Sequence, residues 1–359
     1  LSSAQRAAVA EALYGVATWR RRLTHHAGGD DPGLLLLCLL RDLAGLSDDQ
    51  AVRLSSWEGP VPPRVAPPPD LGTRQSFPDD VVEVLRHAFG EEAEDAAAAL
   101  NVPGPVFLRA NTLAVGRDAL SRRLAQEGVE TELCRFSPVG LRVVSPRPNL
   151  LPLPSFREGL FEVQDEGSQL IGLLVGARPG ETVVDCCAGA GGKTLHLGAD
   201  MGNAGRLFAH DVDADKLRRL VQRTRKAGLG CVEVGYPSPG HADRVLVDAP
   251  CSEVGALRRG PDRRYRLALE GWPTLQGRIL EEASLLVRPG GVLVYATCTW
   301  RQEENQDVVA GFLGRHAEFR REDARDRGLP DAVVRDGFLW TAPHRHGTDG
   351  FFAAALRRA

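Results

Sequence analysis

The chain has no long apolar run. Its longest purely apolar stretch is Leu34–Leu40, far below the roughly 20 residues that a membrane-spanning helix needs. No membrane is therefore expected as a partner. Arg20, Arg21 and Arg22 follow the first apolar stretch instead of preceding it, so no signal peptide is expected there. The seven cysteines are odd in number, and Cys186 and Cys187 are neighbours. That argues against a disulfide framework and for a reducing, cytoplasmic setting in which a thiol can be kept for chemistry. No Cys-x-x-Cys or His-x-x-x-His pair proposes a metal site. There is no excess of positive charge: the net charge of −3 excludes a uniformly basic nucleic-acid coat and leaves room only for a local patch. Internal repeats and low-complexity tails are also missing. With 43% hydrophobic and 25% charged residues in 359, the composition fits a globular chain of two or three domains, expected to be monomeric.

Apolar spacing predicts a helix over 3–23 and a second, apolar nearly all round, over 34–43. Six prolines between Gly59 and Pro69 exclude helix and interior strand, so 59–75 reads as a linker after a helical segment over 1–58. Residues 76–155 read as a small α/β unit: helices over 79–89 and 91–100, a strand over 106–111, a helix over 117–127 and a strand over 141–145. From 156 to 359, short apolar runs alternate with helical segments. Strands are predicted at 182–186, 206–210, 232–234, 244–248 and 292–297. That alternation implies an α/β, Rossmann-like domain with a parallel sheet covered on both faces. Ligands on such sheets sit at the carboxyl ends of the strands, where Asp185, Asp211, Asp248 and Cys298 fall.

The first of these strands runs into Asp185-Cys-Cys-Ala-Gly-Ala-Gly-Gly-Lys-Thr194. Such glycines let a backbone approach a ligand and feed N–H groups into a helix N-terminus. Asp211 ends the next strand, twenty residues past Gly191, where a carboxylate can hold a ribose. A nucleotide-triphosphate loop would need glycine where Cys187 stands. A dinucleotide loop would need it where Thr194 stands. S-adenosylmethionine, which has no pyrophosphate, fits without exception. A glycine turn without a ligand is the bland alternative.

Two further motifs carry thiols: Asp248-Ala-Pro-Cys-Ser252 after the fourth strand and Ala296-Thr-Cys-Thr299 after the fifth. Adjacent strands would bring Cys251 and Cys298 to one rim. Cys38, Cys134 and Cys231 read instead as small buried hydrophobes, as do Cys186 and Cys187 by packing. A thiolate that adds to carbon 6 of cytosine makes carbon 5 nucleophilic enough to take a methyl group. A carboxyl group near ring nitrogen 3 favours that addition, and Asp248 is placed for it.

These residues resemble the Sun/NOL/NOP (RsmB-like) family of RNA cytosine-carbon-5 methyltransferases over roughly 76–359. The resemblance also takes in Phe107-Leu-Arg-Ala-Asn-Thr112, Val163-Gln-Asp-Glu-Gly-Ser168, Glu303-Glu-Asn305 and Asp349-Gly-Phe-Phe352. It implies a class I methyltransferase domain beside a small RNA-binding-like domain, acting on RNA, ribosomal RNA in the bacterial members. It implies Cys298 as nucleophile, Cys251 as the residue assisting product release, and a cofactor site of Cys187, Ala188, Gly189, Ala190, Gly191, Gly192, Lys193, Asp211 and Asp248. The family loop reads Ala-Ala-Pro-Gly-Gly-Lys where this chain has Ala188-Gly-Ala-Gly-Gly-Lys193. The family also carries an acid after the third strand. Here Val234–Gly240 has none, which implies either weaker cofactor binding or Tyr236 stacked on the adenine.

RNA phosphates are expected at Arg258, Arg259, Arg263 and Arg264, part of a run with five arginines against one aspartate between Ala256 and Arg266. Arg109 and Arg20–Arg22 are secondary candidates. The alternatives are a non-catalytic RNA-binding assembly factor that keeps the fold, and a methyltransferase for a protein or small molecule in which the arginines are incidental.

Overall fold

A computed structural model describes residues 2–146 and 148–359. The chain divides into two compact units, 1–103 with 257–268, and 104–256 with 269–359.

The first unit is helical: α1 (Ser3–Ala27), α2 (Pro32–Cys38), α3 (Asp48–Ser55), α4 (Leu71–Gln75), α5 (Asp79–Phe89) and α6 (Ala93–Asn101). Ser2 and Gln5 start α1 with a reciprocal capping box, Ser2 Oγ accepting from the Gln5 N–H and Gln5 Oε1 from the Ser2 N–H. Leu23, Leu35, Leu37, Cys38 and Ala51 form its buried centre. The proline stretch has no regular structure. Helices α5 and α6, grouped by sequence with the small α/β unit, pack into this helical unit. Arg74, in α4, makes a two-pronged ion pair with Glu94, in α6, at 2.7 and 2.9 Å, and Asn101 donates to the Gln75 carbonyl.

The second unit holds two sheets. The smaller is antiparallel, in the order β2 (Thr131–Leu133), β3 (Gly140–Val143), β1 (Phe107–Ala110), β4 (Phe161–Val163), with α7 (Arg117–Gln126) between β1 and β2 and α8 (Pro154–Arg157) before β4. Helix α9 (Glu166–Val175) leads to the large sheet: β5 (Thr182–Asp185), α10 (Gly192–Asp200), β6 (Arg206–Ala209), α11 (Ala214–Lys226), β7 (Val232–Val234), β8 (Ala242–Asp248), α12 (Trp272–Ser284) and β9 (Val287–Thr297). After these come α13 (Gln306–Arg315), β10 (Phe319–Glu322), β11 (Val334–Arg335), β12 (Phe338–Trp340), α14 (Pro343–His346) and β13 (Phe352–Arg358). Strands β7, β6, β5, β8 and β9 are parallel, in that order.

The sheet is mixed, not wholly parallel as the alternation of elements suggested. Strand β13 inserts antiparallel beside β9, with β12 and β11 beyond it and β10 also paired to β13. Its Phe352-Ala-Ala-Ala-Leu356 run is buried throughout, so no polar–apolar alternation marks it as a strand. The direction of sheet growth reverses between β5 and β8, the place where open α/β sheets hold ligands. Among the described residues, no helix is long and apolar enough to cross a membrane.

Candidate active site

Strand β5 ends at Asp185, and the chain turns through the glycine loop into α10. Gly189 and Gly191 sit at φ of +54° and +90°, conformations that disfavour a side chain. A Cβ on Gly191 would also press on Leu195 and Leu220 at 2.9 Å, whereas one on Gly189 or Gly192 would meet nothing within 4 Å. The loop is tight on its helix side and open on the other. No side chain caps α10, so its first N–H groups stay available to a ligand.

The open side faces a cavity of about 830 Å³ lined by Gly189, Lys193, Asp211, Asp248, Cys251 and Cys298, among others. That volume lies within the range of small-molecule sites. Asp211 braces the loop: its Oδ2 accepts from the Gly189 N–H at 2.8 Å and its Oδ1 from the Asp213 N–H at 2.9 Å. Lys193 Nζ reaches across to Asp248 Oδ2 at 2.7 Å. Asp185 lies beneath, buried, taking a hydrogen bond from the Thr194 hydroxyl at 2.8 Å. Among the described residues its other oxygen has no hydrogen-bond partner, and burial pushes its carboxyl up to about 7. Val212 is 97% exposed and lines the cavity with Tyr236. The Tyr236 ring lies 4.4 Å from that of His210, tilted by 32°. Open glycine backbone, a carboxylate at the ribose distance in sequence, and an apolar wall fit the nucleoside and amino-acid portions of S-adenosylmethionine.

The two sulfurs meet because β8 and β9 are in register. Asp248 pairs with Ala296, so both loops leave the sheet at one level. The Sγ atoms of Cys251 and Cys298 are 3.4 Å apart, and the Cys298 N–H points to Cys251 Sγ at 3.4 Å. Sulfur sharing with Cys251, then burial, then the negative charges of Asp248 and Glu253 hold the Cys298 thiol well above its ordinary range. It rests as a neutral thiol.

A buried carboxylate, whose role nothing in the sequence spacing signals, fastens these loops together. Glu304 is fully buried. It accepts from the Ser252 N–H at 3.0 Å, Gln276 Nε2 at 2.9 Å and Arg301 Nη1 at 3.0 Å. Asn305 accepts from the Thr297 hydroxyl at 2.6 Å and donates to the Thr299 carbonyl at 2.9 Å, and the Ser252 hydroxyl donates to that of Thr299 at 2.9 Å.

Several expected positions fall elsewhere. Cys187 is half-buried on the cavity wall and not merely packed. Arg109 is buried and donates to Gln164 and to the Gly192 carbonyl, so it cannot meet an RNA phosphate. Arg258 and Arg264 are buried too. Arg264 donates to the carbonyls of Thr18 and Ser76 and to Asn101 Oδ1, over the Phe77 ring. It is an internal tie of the helical unit, not a phosphate contact. Arg259 and Arg263 are exposed. Arg21 is spent on Phe77, Thr73 and Asp79. Cys38, Cys134 and Cys231 are buried, as expected.

Comparison with known proteins agrees with the geometry. Residues 173–357 match the family described as 16S rRNA methyltransferase RsmB/F, and 77–149 match its ferredoxin-like domain. Ribosomal RNA small subunit methyltransferase B of Pseudomonas syringae pv. tomato is 33% identical over 306 residues, 80% of this chain and 67% of that one. Its counterpart from Thermus thermophilus is 33% identical over 324 residues, 88% of this chain and 71% of that one. A methyltransferase homologue from Pyrococcus horikoshii, known as a crystal structure, superposes with a TM-score of 0.68 at 27% identity over 81% of this chain and 98% of that one. The chain belongs to the RsmB/F family of 16S rRNA methyltransferases and is an S-adenosylmethionine-dependent enzyme.

Proposed function

We propose that the chain methylates carbon 5 of a cytosine in ribosomal RNA through a covalent bond between Cys298 and carbon 6 of the base. The observation that carries this reading is the 3.4 Å separation of the Cys251 and Cys298 sulfurs on the wall of the cavity that Gly189 and Asp211 also line. S-adenosylmethionine, when bound, supplies an electrophilic methyl group on a cationic sulfur. The residues of the chain prepare the acceptor. Cys298, once deprotonated, adds to carbon 6, and the electrons of the carbon 5–carbon 6 double bond move to carbon 5. Asp248, beside Lys193 at 2.7 Å, takes up the proton that Cys298 gives up and passes it to ring nitrogen 3, which draws charge off the ring as the carbon–sulfur bond forms. After carbon 5 has taken the methyl, a base removes the carbon 5 proton, the double bond re-forms, nitrogen 3 returns its proton and Cys298 leaves as thiolate, with Cys251 assisting the release. Arg259 and Arg263, which with Arg266 are the exposed members of the arginine run, serve as phosphate contacts. The cytosine must be unpaired or flipped to reach a thiol inside a cavity.

Cys298→Ala is expected to abolish methyl transfer to small-subunit RNA while calorimetry still detects S-adenosylhomocysteine binding. Cys251→Ala is expected to accumulate a protein–RNA adduct, visible as a retarded band on a denaturing gel. Unchanged turnover by Cys298→Ala would remove the covalent step from the mechanism.

A further inference from the structure

Two arginines grip the glycine loop from behind, and neither reaches the cavity. Arg223, in α11, donates from Nη1 to the Ala190 carbonyl at 2.6 Å and from Nη2 to Glu162 Oε2 at 2.7 Å. Arg109, in β1, donates to the Gly192 carbonyl at 2.7 Å and to Gln164 Oε1. Their far ends are fixed by one strand of the small sheet: Glu162 lies in β4, directly opposite Arg109 in the register, and Gln164 follows it. Gln164 is held in turn, its N–H on the Phe107 carbonyl at 3.0 Å and its Nε2 on the Ser168 hydroxyl at 3.1 Å.

We infer that Arg109 and Arg223 are positioning residues for the cofactor, clamping the glycine loop to the small sheet. The argument is conformational. A loop with glycines at φ of +54° and +90° has many alternative backbone states. It binds tightly only if it is held in the one that turns its N–H groups to the ligand. Fixing the Ala190 carbonyl on the outer side fixes the peptide plane whose N–H, that of Gly191, closes the turn on the Ala188 carbonyl at 2.9 Å, and fixing the Gly192 carbonyl turns the Lys193 N–H of its plane the other way. Guanidinium donors are suited to the task because their hydrogen bonds are charge-assisted and planar. Burial lowers the Arg109 guanidinium only to about 10, so it stays charged at neutral pH. The small sheet is thereby part of the cofactor site without touching the cofactor.

The inference rests on the reading of 188–193 as the cofactor loop, and the experiment separates the two. S-adenosylhomocysteine binding is measured by calorimetry on the whole chain carrying Arg223→Gln, Arg223→Lys, Arg109→Lys or Asp211→Ala. Steady-state kinetics on small-subunit RNA accompanies it. Loss of one charge-assisted hydrogen bond is expected to weaken binding about tenfold in Arg223→Gln. The KM for S-adenosylmethionine should rise by the same factor, kcat at saturating cofactor should stay within about twofold, and RNA affinity should hold. Arg223→Lys, which keeps a cation for the carbonyl, should recover most of the loss. A purely structural role would lower the melting temperature without this split between KM and kcat. Wild-type affinity in Arg223→Gln, with binding lost in Asp211→Ala, would overturn the clamp and leave the loop reading intact. Wild-type affinity in Asp211→Ala would overturn the loop reading itself. Should Arg109→Lys fail to fold, the Arg223 pair decides. Loss of RNA affinity with unchanged cofactor affinity in Arg109→Lys would return that residue to RNA contact and refute the inference.

Discussion

Removing the Cys251 sulfur should make Cys298 more reactive toward a simple alkylating agent, not less. The largest influence holding the Cys298 thiol neutral is its hydrogen bond with Cys251, ahead of burial and of the charges on Asp248 and Glu253. The two sulfurs are 3.4 Å apart, and the Cys298 N–H already points at Cys251. Cys251 is therefore furnished with a donor, and the geometry favours Cys298 as the one sharing its proton. In Cys251→Ala that sharing ends, while burial and both carboxylates remain. Each unit by which the Cys298 pKa falls raises its thiolate fraction about tenfold and lowers its intrinsic nucleophilicity about threefold, a net gain of roughly three- to fourfold in rate. The assay is iodoacetamide labelling at pH 7.5 with peptide mapping, comparing the Cys298 peptide in the wild type and in Cys251→Ala. Cys186, buried and raised for its own reasons, is the internal standard. Faster labelling of Cys298 alone is expected. An equal or slower rate would mean that Cys251 donates to a Cys298 thiolate, and the assigned direction of proton sharing would be wrong.

Two further outcomes follow from buried carboxylates. Glu304→Gln places an amide N–H₂ among the donors now shared by Ser252, Gln276 and Arg301, and should cost about 3 kcal/mol in urea unfolding; an unchanged midpoint would deny Glu304 its role in joining the cysteine loops. Asp185 is raised to about 7 when folded, above its unfolded value of about 3.9, so the stability it contributes is present below pH 4 and lost as pH rises toward 7. Asp185→Asn should therefore gain on the wild type across that window, by up to about 4 kcal/mol, and a difference in unfolding free energy independent of pH would refute the burial argument.

The sequence alone determined what depends on short stretches of chain. The turn into α10 was legible because only glycine tolerates the backbone there, and Asp211 was legible because one helix sets its distance from that turn. The meeting of Cys251 and Cys298 was legible from the order of parallel strands, since β8 and β9 leave the sheet at the same end. The C-terminal strands were not, because β13 is buried along almost its whole length and carries alanines, which leave no alternation to read. Nor were the fates of the arginines. Arg109, Arg258, Arg259, Arg263, Arg264 and the rest carry the same charge in the sequence, yet burial turns Arg264 into a tie among Thr18, Ser76 and Asn101, and Arg109 into a support of Gly192. Whether a guanidinium faces water or a carbonyl depends on residues more than fifty positions away. Only the tertiary structure brings those together, because the partners of a buried charge are chosen by packing and not by sequence neighbours.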